Sequence, residues 1–91
     1  MKRYIIEREI AGVGQLVGEE LKGAAATSNA ALAQLGGQAQ WVESFVTDDK
    51  TFCIYLAEDE ETVREHARLS GFPASRITQV HRTIDPLTAQ G

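Results

Sequence analysis

Between residues 38 and 57 the chain reads QAQWVESFVTDDKTFCIYLA. Two strand-length runs, rich in β-branched and aromatic residues, are separated only by DDK. So short a link makes them an antiparallel hairpin. What lies on either side repeats one pattern. Upstream, KRYIIEREI (2–10) reads as a strand and AGVGQLVG as a glycine-rich connection. From residue 19 the spacing of Leu21, Ala25, Ser28, Leu32 and Leu35 is helical, and Gly36-Gly37 ends it. Downstream, EDEETVREHARLS (58–70) reads as a second helix stopped by Gly71, and RITQVHRTI (76–84) as a fourth strand. Its acidic first turn and basic later turns match the helix dipole. The polar end, 84–91, is expected to fray.

The order β-α-β-β-α-β predicts an α+β, ferredoxin-like fold over 1–91: one domain, a four-stranded antiparallel sheet with both helices on one face. The expected crossovers join parallel neighbours. A chain of 91 residues has a thin stability margin, and small domains often gain from pairing.

Composition excludes several function classes. The net charge of −4 leaves no basic stripe for nucleic acid. The single cysteine rules out an internal disulfide. The N-terminal apolar run is too short for a signal peptide, and no stretch is long enough for a membrane helix. A cytoplasmic setting is therefore expected. AGVGQLVG lacks the Gly-Lys-Ser/Thr of a phosphate loop.

Strand periodicity assigns the two faces of the sheet. Phe52, Ile54 and Leu56 are expected to meet the helices. The open face is expected to carry Ile5, Glu7, Trp41, Glu43, Phe45, Cys53, Tyr55, Gln79 and His81. A face so aromatic is not left in water, so a homodimer with two sheets face to face is expected.

Chemistry-bearing residues are few. His66 falls near the middle of the apolar arc of the second helix, beside Thr62, Val63, Leu69 and Ser70. It reads either as a buried neutral imidazole or as a metal ligand; no HExxH accompanies it. Glu7 and Glu43 are carboxylates in otherwise apolar strands, either solvated or oxygen ligands. Mixed imidazole and carboxylate ligation suits nickel, zinc or cobalt. Cys53 and Tyr55 form a Cys-x-Tyr pair, without the second cysteine of a zinc knuckle or redox dithiol. Trp41 and His81 complete the binding-face candidates.

The strings YIIERE, VTDDK, REHA, GFPA and IDP together resemble a family of small bacterial ferredoxin-like domains with an actinobacterial nickel-binding member. The resemblance covers nearly the whole chain and implies a homodimer and nickel binding, with no established enzyme activity. Glu7, Cys53, Tyr55 and His66 stand where the family's recurrent polar residues stand; at the position of Glu43 the family also accommodates histidine. The leading expectation is a small dimeric divalent-metal-binding protein, with nickel sequestration as its candidate role and His66, Glu7 and Glu43 as ligands. Two readings stand beside it: a dimeric α+β barrel-type enzyme (a cofactor-free oxygenase or isomerase), and a small-molecule binding module without chemistry.

Overall fold

The computed structural model describes residues 1–91. Four strands, β1 (Lys2–Glu9), β2 (Ala39–Val46), β3 (Lys50–Ala57) and β4 (Arg76–Val80), form one sheet in the order β2-β3-β1-β4. Every neighbouring pair is antiparallel. The helices are α1 (Glu19–Gln34) and α2 (Glu60–Ser70). This is the ferredoxin-like arrangement. The crossovers do not join neighbours, however: β3 lies between β1 and β2, and β1 lies between β3 and β4. The tight hairpin explains this, since it claims one side of β3 for β2 and leaves the other for β1.

The local signals act as their chemistry requires. The Asp59 side chain accepts the Thr62 amide at 2.8 Å and caps α2. Gly71 closes that helix at φ 79°, a left-handed conformation that glycine adopts without a Cβ penalty. Pro86–Gln90 forms a turn of 3-10 helix, because Asp85 and Thr88 cap one another reciprocally.

The faces correct the sequence reading. Thr51, Cys53, Tyr55 and Ala57 are the buried residues of β3, whereas Phe52, Ile54 and Leu56 are only half-buried. The core joins Tyr4, Ile6, Ala39, Cys53, Tyr55 and Ala57 to Val63 of α2, so the Cys53–Tyr55 side lies under the helices. Hydrophobicity misled here. Tyr and Cys accept a helix-covered position once their polar atoms are accommodated, while three large apolar residues were left outside.

In β2 the cause is a bulge. The register runs Trp41↔Tyr55, then Glu43↔Ile54, with Val42 as the extra residue. Strict alternation puts Trp41, Glu43 and Phe45 on one face. The bulge resets the count, so Trp41 and Ser44 share the covered face while Glu43 and Phe45 face out. Gln79 pairs with Tyr4 and belongs to the covered side as well. His81 lies beyond the end of β4 and is exposed.

A short 3-10 turn, Val13–Gln15, ties the β1–α1 connection to the hairpin. The Gly14 amide donates to the Asp48 carbonyl at 2.9 Å and the Ile10 amide to that of Asp49 at 3.0 Å. A Cβ on Gly14 would sit 2.7 Å from the Thr47 carbonyl oxygen, so only glycine permits this approach.

Candidate functional site

The buried polar residues are Arg8, Ser28, Thr51 and His66. All four lie between the sheet and the helices, two on adjacent strands and two on facing helices. His66 is 1% exposed. Its Nε2 lies 3.2 Å from Ser28 Oγ and 3.4 Å from the Ser28 carbonyl oxygen, while Nδ1 has no partner. We assign the ring proton to Nε2. That lets the N–H donate to Ser28 and leaves Nδ1 a bare acceptor, whereas the other tautomer would strand a buried donor. Ser28 Oγ is 2.7 Å from the Tyr55 hydroxyl. The Tyr55 ring packs against the imidazole at 4.8 Å between centroids and against Trp41 at 6.4 Å, the latter nearly parallel.

Burial dominates the electrostatics. It lowers the His66 pKa below the ordinary 6.5, with the Arg8 charge adding to the effect and the hydrogen bond to the Ser28 backbone opposing it. Burial likewise raises the Tyr55 phenol, against the pull of Ser28 and Arg8. Both groups are thus neutral at physiological pH, as suits two buried groups that share Ser28 as their hydrogen-bond partner. In the single chain His66 is a buried imidazole held at Ser28.

Arg8 is 3% exposed. Its Nη1 donates to the Pro73 carbonyl at 2.8 Å, and its carbon lies 6.0 Å from the Tyr55 ring centroid and 5.9 Å from that of Phe72. Beside it opens a cavity of about 380 Å³ walled by α1, the β1–α1 connection, β2, β3 and the segment after α2. Trp41, Cys53 and Tyr55 line it; they lie on the covered face and not on an open one. Sequence reading missed Arg8, although a signal was present: it shares its side of β1 with Tyr4 and Ile6.

The proposed ligands separate. Glu7 lies on the open face, 3.9 Å from both Lys50 Nζ and Arg76 Nε. Glu43 is exposed on the same face with β3 between the two strands and two residues out of register with Glu7, hence roughly 12 Å away. His66 is on the other side of the sheet. No three His, Cys, Asp or Glu side chains gather into a group able to hold a metal ion. The donors of one chain, as folded, therefore do not fit a nickel ion. No helix is long and apolar enough to cross a membrane.

Fold and buried core define a small ferredoxin-like α+β protein with a polar cluster under its helices. Residues 4–80 match the family described as nickel responsive protein SCO4226-like, and the chain belongs to that family. The crystal structure of SCO4226 from Streptomyces coelicolor A3(2) superposes with a TM-score of 0.75 at 13% identity, over 90% of this chain and 99% of that one. At that identity the likeness shows the fold. No curated protein matches the sequence.

Proposed function

We propose that the protein handles nickel, as the name of its family suggests, and that it takes up the metal between two copies of the chain. Membership of the nickel-responsive family carries this reading. The geometry bears on where the metal would go. Glu7 and Glu43 are too far apart to share an ion within one chain, and Glu7 already has two cations beside it. A second copy laid on the open sheet face would supply further carboxylates. It would also cover Phe45, which is 53% exposed, together with Phe52, Ile54 and Leu56. His66 has no place in such a site; it belongs to the helix layer.

The test is calorimetric titration of chelator-stripped protein with nickel, run beside sedimentation to count chains. Saturable binding accompanied by dimerisation, weakened in Glu43→Ala and preserved in His66→Phe, is expected. Absence of saturable binding removes the reading. Binding to the monomer that is lost in His66→Phe relocates the site to the helix layer.

A further inference from the structure

The Arg8 guanidinium is a buried cation without a counter-ion. None of the fold's ion pairs includes it. Its Nη2 is buried and has no hydrogen-bond partner. The cavity it borders has no carboxylate in its wall: the lining is mostly apolar, with hydroxyls from Thr51, Ser28, Ser44 and Tyr55. A buried cation without a counter-ion is costly even when some of its N–H groups are hydrogen-bonded. The flanking rings of Tyr55 and Phe72 offset part of that cost, and the Tyr55 phenol feels the guanidinium, but neither residue supplies a negative charge. Thr51 is the register partner of Arg8 on β3, and both are buried on the covered face. Both side chains line the cavity.

We propose that this cavity binds a small monocarboxylic acid with an apolar body. The carboxylate pairs with the Arg8 guanidinium, which turns its spare Nη2–H into the cavity on binding, and with the Thr51 hydroxyl. The body lies against Leu16, Leu21, Trp41 and Phe72. One cation balances one negative charge; a phosphate dianion would leave a second charge in an apolar enclosure. The volume, about 380 Å³, is at the small end for ligand pockets and suits an aryl or short-chain acid. The inference is independent of the nickel reading, since it concerns the other side of the sheet and needs no metal.

Trp41, the one tryptophan of the chain, lines the cavity and reports on it. Chelator-stripped protein is titrated with phenylacetate and with octanoate, followed by Trp41 fluorescence and calorimetry. Phenylacetamide and inorganic phosphate are the controls. Saturable binding of at least one acid is expected. For phenylacetate it should be tenfold or more tighter than for its amide, the discrimination of one charge-assisted contact. Arg8→Met should bring acid and amide level. Should Arg8→Met fail to fold, Ala25→Leu keeps Arg8, fills the cavity from α1 and should abolish binding. The proposal is overturned if neither acid binds at millimolar concentration, if amide or phosphate binds as well as the acid, or if Ala25→Leu leaves binding unchanged. Working without metal keeps any such failure separate from the nickel reading.

Discussion

Two faces of one sheet are built from alternate residues of the same strands, yet they leave opposite things undone. The covered face buries two tyrosines, an imidazole, two hydroxyls and a guanidinium beneath the helices, and the one cation there has no counter-ion. On the open face the charges find one another, Glu7 between Lys50 and Arg76. There the apolar groups Phe45, Phe52, Ile54 and Leu56 are unfinished. One face lacks an anion and the other lacks a cover. Apolar content alone therefore does not say which side of a sheet becomes the core; a side whose polar atoms are mostly paired can be buried too.

Adjacent isoleucines on β1 give the sharpest test of the contrast. Ile6 is fully buried on the covered face, and Ile5 is half-buried on the other. Ile6→Ala should cost about 2–5 kcal/mol in urea unfolding, as for a core truncation. Ile5→Ala should cost well under half of that in the monomer. A larger cost for Ile5→Ala that grows with protein concentration would show the open face closed by a second copy.

The next effect concerns how the cavity's rim is held. Gly14→Ala drives a Cβ into the hairpin backbone and should destabilise by about 1–3 kcal/mol. Gly23→Ala in the middle of α1, where a Cβ meets nothing, should stabilise by up to about 1 kcal/mol. Equal effects of the two substitutions would mean that the rim is not constrained.

His66 links the covered face to pH. Its folded pKa lies below the ordinary value of 6.5, so above that pH both folded and unfolded chains hold it neutral and stability is unaffected. Below 6.5 the unfolded chain takes the proton first. Stability therefore falls with falling pH, by at most about 1.4 kcal/mol per pH unit for one proton, and levels off below the folded pKa. Unfolding midpoints between neutral and mildly acidic pH should show this slope, and His66→Phe should remove it. A slope that persists in His66→Phe would assign it to another group.

Smaller effects belong to the solvated side of α2. Asp59→Ala removes the cap and should cost about 1 kcal/mol in unfolding experiments. Arg64→Ala breaks an exposed pair with Glu60 and should change stability by about 0.5 kcal/mol or less.

Much of the fold was legible in the sequence. The hairpin link, the helical spacings, the acidic start of α2 and Gly71 are local signals whose physics acts within a few residues. His66 and Val63 were readable as the inward arc of α2, and both are buried. The faces of the sheet were not legible, for two reasons. In β3 the choice between Phe-Ile-Leu and Thr-Cys-Tyr depended on partners distant in sequence, chiefly Ser28 and Arg8. In β2 no residue announces the bulge at Val42. Arg8 carried a readable period-two signal beside Tyr4 and Ile6, but an arginine in a buried row is discounted until a structure shows a space for its partner.

The bulge gives β2 something like a reading frame. Val42 is itself exposed and touches neither set of buried partners, so changing its identity should matter little. Its presence, as a unit of count, matters a great deal. Losing that one residue would put the two ends of the strand back into a single alternation. Either Trp41 would leave Tyr55 for the outer face, or Ser44 and the hairpin beyond it would turn over. At this position the chain is indifferent to spelling and sensitive to length.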